Sequence, residues 1–335
     1  MDQANGLREM VRNKAYNMNG VKGVKRDSVG SPGPPASPEP ACHCETPPPA
    51  NRSEADRARA GRRERWRAGP RVVSVTSGKG GVGKTNIVGN LAIAFRRLGK
   101  RVLILDGDLG LANIDIIFGL NPVYNIKHVI NGEKDLEEVI VEGPEEICII
   151  PAGSGLHELV HLTNGQKLNL LNEFDTLNED FDIFLIDTGA GISSNIIYFN
   201  IAAQERIVVA TCEPSSITDA YALMKVMFTQ HGTRSFKLLV NMVTHAQEAK
   251  SVFENLSNAV GRFLKDISLE YVGFILKDDN FQRAVRQQCT VLQRYPESES
   301  SKGFCELAQR LLANSPNASC DGNIKFFWKK LMSCH

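Results

Sequence analysis

Ser77-Gly78-Lys79-Gly80-Gly81-Val82-Gly83-Lys84-Thr85-Asn86 is the stretch whose reading decides the fold. Gly78, Gly83, Lys84 and Thr85 fit the pattern G-x-x-x-x-G-K-[ST] of a phosphate-binding loop. The run before it, Val72 to Thr76, is β-branched and apolar and reads as a buried strand. After it, Ile87, Val88, Leu91, Ala94, Phe95 and Leu98 recur at helical spacing. The glycines therefore fall between a strand and a helix, the context that the motif requires. Gly78, Gly80, Gly81 and Gly83 let backbone wrap closely around an anion, and successive N–H groups, that of Val82 included, turn toward it at a helix N-terminus. Lys84 adds a full positive charge near the outer phosphates, Thr85 offers a hydroxyl to Mg²⁺, and Asn86 follows in the first helical turn.

Two further strands end in acids. Arg101 to Leu105 runs into Asp106-Gly107-Asp108, and Ile183 to Ile186 into Asp187. Acids at the C-terminal ends of strands stand where open α/β sheets bind ligands. An apolar strand closed by a single acid, as at Asp187, is the pattern whose carboxylate holds a Mg²⁺ shell. Gly189 and Gly191 give the following loop freedom to move. Further strands read at Glu146–Pro151, Ile207–Thr211, Phe236–Val240 and Tyr271–Leu276, and helices at 168–177, from Ser215 or Ser216 to Gln230, at 280–288 and at 301–313. This alternation predicts an α/β fold, a doubly wound and mostly parallel sheet of the P-loop NTPase type in three α/β/α layers.

Lys79 adds a second signal, because an ordinary phosphate loop needs no lysine there. Lys79-Gly80-Gly81-Val82-Gly83-Lys84-Thr85 resembles the deviant Walker A loop of the MinD/ParA ATPases. Leu109 to Leu120 (LGLANIDIIFGL) and Ile186 to Ser193 (IDTGAGIS) resemble the same family. Many relatives carry proline where Gly189 stands; this chain's DTGAGI, and Asn86 after Thr85, suit the branch that controls flagellar number (FlhG/FleN/YlxH). The resemblance implies bound ATP and Mg²⁺ and an ATP-dependent homodimer in which Lys79 reaches the partner's nucleotide. It also implies that Asp106 supports the Mg²⁺ shell through water and that Asp108 orients or deprotonates the attacking water. By the same resemblance, Asn241 reads adenine with its paired donor and acceptor, although an Asx-turn would use the same residue. Lys277 and Asp278 begin the loop that flanks the base, and the segment from Glu213 to Asp219 joins the dimer face.

The ends of the chain carry separate expectations. Asp2-Gln3-Ala4-Asn5-Gly6-Leu7-Arg8 resembles the activator motif of the flagellar branch, which docks on the GTPase FlhF and stimulates it. Gln3 is the central candidate, with Asp2, Leu7 and Arg8 in support. Residues 21–70 are rich first in proline and then in arginine and read as a linker after the activator segment 1–20. The arginines from Arg52 to Arg71 read as a solvated charge run rather than a nucleic-acid surface. Beyond the ATPase domain, 71–313, lies a tail, 314–335. In it Ile324, Phe327, Trp328, Leu331 and Met332 share one helical face, and Lys325, Lys329 and Lys330 lie elsewhere around it. Aromatics with lysines on a short helix suit an anionic membrane surface, though the same helix could dock on the body of the protein.

Composition narrows the classes. The chain has 335 residues, 42% of them hydrophobic, and a formal net charge of +1, so no bulk electrostatic partner is implied. No apolar run approaches the roughly 18 residues of a spanning helix. The N-terminal residues lack a basic segment followed by an apolar one, so secretion is not expected, and the eight cysteines, several of them such as Cys148 and Cys212 in strand-like runs, read as reduced, buried thiols. Cys42-His43-Cys44 lacks a second ligand pair at zinc spacing. The expected place is the cytoplasm, reversibly on the inner face of the membrane. Rival readings are a ParA-type partition ATPase acting on DNA, an iron–sulfur carrier on the same fold and a nucleotide-locked adaptor that never turns over. Nucleic acid is disfavoured as a partner, and a flagellar transcription factor or C-ring component is left open as a further one.

Overall fold

Strand-forming runs buried on both faces cannot stand alone, and here they assemble into one sheet between two layers of helices. The computed structural model describes residues 70–108, 113–151, 163–176, 181–314 and 330. The chain divides into two units, Met1–Ala55 and Asp56–His335, and every described residue lies in the second.

In chain order the elements are β1 (Arg71–Ser77), α1 (Lys84–Arg97), β2 (Val102–Gly107), α2 (Ile114–Phe118), α3 (Ile126–Ile130), α4 (Leu136–Val139), β3 (Val141–Glu142), β4 (Cys148–Ile150) and α5 (Asn164–Thr176). There follow β5 (Ile183–Ala190), α6 (Ser194–Ala202), β6 (Glu205–Ala210), α7 (Pro214–His231), β7 (Ser235–Val243), α8 (Ala246–Phe263), β8 (Ser268–Leu276), α9 (Asp279–Arg286), α10 (Val291–Arg294) and α11 (Glu299–Ala313). The strands form one eight-stranded sheet in the order β3-β4-β2-β5-β1-β6-β7-β8. Every pairing is parallel except β3 with β4.

Alternation along the strands divides the core. Val73, Val75, Val102 and Ile104 face α1 and α11, where Ile87, Leu91, Phe95, Phe304 and Leu307 close over them. Val72, Leu103 and Leu105 point the other way, toward Val129, Leu136 and Leu170. Farther along that face, Leu238 and Val240 meet Leu223 and Met224 of α7 and Val252 and Leu256 of α8.

The chain leaves β1 for β2 on one side, whereas β5 crosses through α6 to β6 on the other. A reversal of this kind opens a crevice at the C-terminal ends of the strands. The phosphate loop, Asp106, Asp108 and Asp187 all come to that crevice.

The boundaries differ from the sequence reading at informative places. β5 continues through Asp187 to Ala190, and β7 through Asn241 to Val243, so both polar residues sit inside strands rather than at their ends. α7 begins at Pro214 with Glu213 before it, not with a serine cap; Ser216 Oγ instead accepts from the Thr211 N–H at 3.0 Å. The eighteen-residue α8 has no counterpart in the sequence reading, although Ala249, Val252, Leu256 and Val260 form its buried stripe. Arg71, assigned to a solvated run, is the first residue of β1, and its guanidinium binds Glu205 and the Leu311 carbonyl. Cys212 is exposed rather than buried.

Candidate functional site

The loop closes tightly because two of its glycines have no room for a side chain. A Cβ on Gly78 would run into the backbone carbonyl of Asp219 on α7. Gly83 has φ 91°, and a Cβ there would stand 2.6 Å from Asn241 Nδ2. α1 carries no acidic residue in its first turn and no side-chain cap, so its positive end is left to face the loop. The arrangement is a cradle for an anion.

Lys84 opens α1 and is 8% exposed. Its Nζ donates to Ser77 Oγ at 3.0 Å, and Ser77 Oγ in turn donates to the Lys79 carbonyl at 2.7 Å. Burial pushes the Lys84 ammonium below its ordinary pKa, while Asp187 and Asp108 pull it back toward the charged form. Thr85 and Asn86 follow, both half-buried.

The acids are set by strand register. Asp106 on β2 and Asp187 on β5 are direct partners in the parallel pairing, so their carboxylates are neighbours. Asp106 accepts backbone N–H bonds from Asp108 (3.2 Å), Asn113 (3.1 Å) and Ile114 (3.3 Å). Burial still lifts its pKa to about 7 against the pull of those three amides. Asp187 is fully buried, and neither carboxylate oxygen has a hydrogen-bond partner. Burial and then Asp106 raise it well above the usual carboxylate range. Lys84 and the Thr85 hydroxyl favour its charged form, but Thr85 stops short of hydrogen-bond geometry. Asp108 is half-buried, with Oδ1 3.5 Å from the point where Gly189 would carry a side chain.

A buried carboxylate without a donor is costly unless a cation or donor arrives. Asp187 beside Thr85 and Asp106 is therefore a donor set that fits Mg²⁺, a hard cation that keeps several waters and takes few protein ligands. Among the described residues no cluster of three or more His, Cys, Asp or Glu could hold a metal by itself.

Lys79 is engaged within its own chain. Its Nζ donates to Glu213 Oε2 at 2.5 Å and to Ser215 Oγ at 2.8 Å. The sequence offers Ser215 only as a candidate helix cap and Glu213 only as part of the dimer-face segment; an acid and a hydroxyl flanking Pro214 at a helix start were the available signal for their hold on Lys79. Asn241 is 2% exposed and donates its Nδ2 to the Val82 carbonyl at 2.8 Å, which ties β7 to the loop. Lys277 donates its N–H to the Val243 carbonyl at 2.8 Å. Asp278 caps α9 through the Asn280 N–H and accepts from Ser300 Oγ at 2.8 Å, a structural duty that joins α9 to α11.

Asp2, Gln3, Leu7 and Arg8 lie outside the described residues, as do Ile324, Lys325, Phe327, Trp328, Lys329 and Leu331. Of the tail candidates only Lys330 is described, in helical conformation and half-buried. No helix among the described residues is long and apolar enough to cross a membrane.

Comparison with known proteins gives a consistent picture. The family model described as "AAA domain" matches residues 70–237. The antiactivator FleN of Pseudomonas aeruginosa is 41% identical over 261 residues, which cover 78% of this chain and 93% of that protein. The flagellum site-determining protein YlxH of Helicobacter pylori is 32% identical over 265 residues, 78% of this chain and 90% of that one. Among solved structures, the septum site-determining protein MinD complexed with Mg-ADP from Pyrococcus horikoshii superposes with a TM-score of 0.59 at 23% identity, covering 73% of this chain and 98% of that chain. That last likeness speaks for the fold alone. Phosphate loop, paired acids on β2 and β5 and sequence kinship agree: the chain belongs to the MinD/ParA-type P-loop ATPases, in the branch that includes FleN and YlxH.

Proposed function

We propose that the protein is a Mg²⁺-dependent ATPase that works as a dimerising switch in the control of flagellar number or placement. The observation that carries this is the orphaned Asp187 carboxylate, fully buried next to the desolvated Lys84 at the mouth of the phosphate loop. Neither charge is well served until a polyphosphate and a divalent cation arrive. The names of the relatives, an antiactivator and a flagellum site-determining protein, supply the physiological direction.

In this reading the loop amides from Gly78 to Thr85 and Lys84 Nζ hold the phosphates. Asp187, Thr85 and, through water, Asp106 hold Mg²⁺, which supplies charge neutralisation at the transferring phosphoryl group. Asp108 faces the Gly189 side of the crevice and orients the attacking water. Asn241 keeps the loop in place through Val82 and turns its remaining polar edge to the base, which Lys277 and Asp278 flank. Lys79 leaves Glu213 and Ser215 to reach the nucleotide of a second copy, which makes the triphosphate the condition for the homodimer.

The dimer state would then be read out at the chain's ends. Residues 2–8, through Gln3, stimulate an FlhF-type GTPase. The tail from Ile324 to Leu331, with its three lysines, binds anionic membrane, and pairing two tails raises avidity by roughly 10²-fold or more. Between visits the protein is cytoplasmic.

The test is sedimentation equilibrium of the full chain with Asp108→Ala and Mg-ATP, alongside single-turnover hydrolysis by the unaltered chain. A dimer with Mg-ATP but not Mg-ADP, with hydrolysis lost in Asp108→Ala, is expected. A chain that stays monomeric at high concentration with Mg-ATP would overturn the switch.

A further inference from the structure

A cluster of buried polar side chains on and around β1, the strand that feeds the phosphate loop, takes no part in the site described above. Ser74 and Thr76 on β1, Thr188 on β5 and Asn200 on α6 are all fully buried. Ser74 Oγ donates to Asn200 Oδ1 at 2.8 Å, with the Glu205 carbonyl a second acceptor at 3.3 Å. Asn200 Nδ2 donates to Thr76 Oγ1 at 3.1 Å and to the Ile196 carbonyl at 2.7 Å. Thr188 Oγ1 donates to the Val75 carbonyl at 3.0 Å, with the Gly189 carbonyl at 3.1 Å as a second acceptor. Around these bonds α6 turns Ile197, Phe199, Ile201 and Ala202 into the core. Buried hydrogen bonds add little net stability over apolar packing of the same shape. What a fully satisfied set adds is one fixed arrangement.

The arrangement fixed is that of the segment after Asp187. Val75 pairs with Asp187 but Ser77 with Ala190, so β5 carries one extra residue between them, a β-bulge. Thr188 pins the bulge to Val75, and the Gly191 N–H closes it on the Ser77 carbonyl at 2.9 Å. α6 then begins at Ser194, and Ile196 in its first turn reaches back. Ile196 Cδ1 stands 3.4 Å from the point where Gly189 would carry a Cβ, and Asp108 Oδ1 stands 3.5 Å from the same point. One turn farther along α6, Asn200 holds the Ile196 carbonyl and ties the helix to β1. Arg206 donates to the Asn200 carbonyl at 2.7 Å and fixes the same end of the helix. A shift of α6 along β1 therefore moves Ile196 and Gly189 against Asp108.

We propose that Asn200 is a positioning residue for hydrolysis: by holding α6 to Ser74 and Thr76 it sets Gly189 against Asp108, and with it the water that Asp108 orients. The inference rests on the role proposed above for Asp108 and deepens it. The bonds of the cluster run among β1, β5, α6 and the start of β6, and none goes to the loop from Gly78 to Thr85. Asn200 thus acts on the rate at the outer phosphate and not on the hold on the nucleotide.

The test compares the full chain with Thr76→Val and with a triple variant, Ser74→Ala with Thr76→Val and Asn200→Leu. Melting temperature, Mg-ADP affinity and single-turnover hydrolysis at saturating Mg-ATP are read for each. The triple variant removes donors and acceptors together, so it melts close to the unaltered chain. Its Mg-ADP affinity stays within about twofold, and its hydrolysis rate falls by about 10- to 100-fold, as a small misplacement of reacting groups costs. Thr76→Val is nearly isosteric and leaves Asn200 Nδ2 its bond to Ile196; it lowers the rate by about two- to fivefold. An unchanged rate in the folded triple variant overturns the inference. So does a loss of Mg-ADP affinity as large as the loss of rate, which would mark general damage to the site. Should the triple variant fail to fold, Thr76→Val decides: a lowered rate at unchanged Mg-ADP affinity supports the inference, and an unchanged rate overturns it. An unaltered chain that hydrolyses no Mg-ATP is a different result, which removes the ATPase reading itself.

Discussion

Arg71, Glu205, Lys237 and Glu270 form a row across β1, β6, β7 and β8 near the N-terminal end of the sheet; Lys84, Asp106 and Asp187 gather at the opposite end. Both groups are taken largely out of water, and they are treated in opposite ways. In the first, Arg71 binds both oxygens of Glu205, and Lys237 Nζ lies 3.4 Å from Glu205 and 2.8 Å from Glu270. In the second, Asp187 has no hydrogen-bond partner, and Lys84 donates to a serine rather than to a carboxylate. Burial of charge does not by itself mark a functional site. What separates the two ends is whether the protein completes its own pairing.

The largest effect expected from that contrast is on stability at the completed end. Glu205→Ala leaves Arg71 and Lys237 buried without their shared acid and costs about 3–5 kcal/mol in denaturant unfolding. ATP affinity of the folded fraction stays as it was. A large loss of nucleotide binding would break the separation of the two ends.

At the incomplete end the signs reverse. Asp187→Asn replaces a buried carboxyl whose oxygens have no hydrogen-bond partner, so the metal-free protein melts no lower than before. Single-turnover hydrolysis with Mg-ATP falls by about 10²-fold or more. A clear drop in the metal-free melting temperature would show that Asp187 is a structural residue after all.

The pH dependence of the metal-free chain sharpens the same point. Asp106 has a folded pKa of about 7 against an ordinary value of 3.8. Its shift is upward, so between about pH 4 and pH 7 the folded form holds more protons than the unfolded one, and stability falls as pH rises through that window. The contribution is fully absent only below the unfolded value and reaches its maximum penalty above about 7. Asp187 is raised as well and acts in the same direction. Thermal melts with chelator at about pH 5, 6 and 8 should therefore decline in that order, and Asp106→Asn should flatten the slope.

The smallest effect belongs to Lys79. Its pair with Glu213 is partly exposed, with side-chain exposures of 36% and 65%, so Glu213→Gln changes stability by less than about 1 kcal/mol. If that contact holds the lysine at home, the same variant dimerises with Mg-ATP up to about fivefold more readily. Dimerisation weakened by Glu213→Gln would give the acid a place in the joined state instead.

Much of this was legible before any coordinates. The glycines between Ser77 and Lys84 are constrained by backbone sterics alone, and a β-branched run on one side with helical spacing on the other leaves little freedom of interpretation. Asp106 and Asp187 were visible because each interrupts an apolar run. Their adjacency was not, since it follows from the pairing of β2 with β5, strands about eighty residues apart in the chain. Pairings of that length also hid Arg71, whose partner is Glu205; within its own neighbourhood it looked like the last of a row of solvated arginines. The helix Ala246–Phe263 is hard to see in the sequence, because its polar face dilutes the apolar stripe of Ala249, Val252, Leu256 and Val260 to one residue in three or four. A second bulge, in β7 at Met242, left no trace at all: methionine in a left-handed conformation contradicts local preference, and only tertiary contacts can hold it there.

Under the proposed switch, the tether on Lys79 would make the isolated subunit a comparator. A cation already matched to one carboxylate and one hydroxyl gains nothing by swinging toward a second copy that offers an equal field. In the proposed switch it would move only where the field on the far side is stronger, as beside three linked phosphates. The response to ligand would then be thresholded rather than graded, and chance collisions between empty copies would leave the resting state undisturbed.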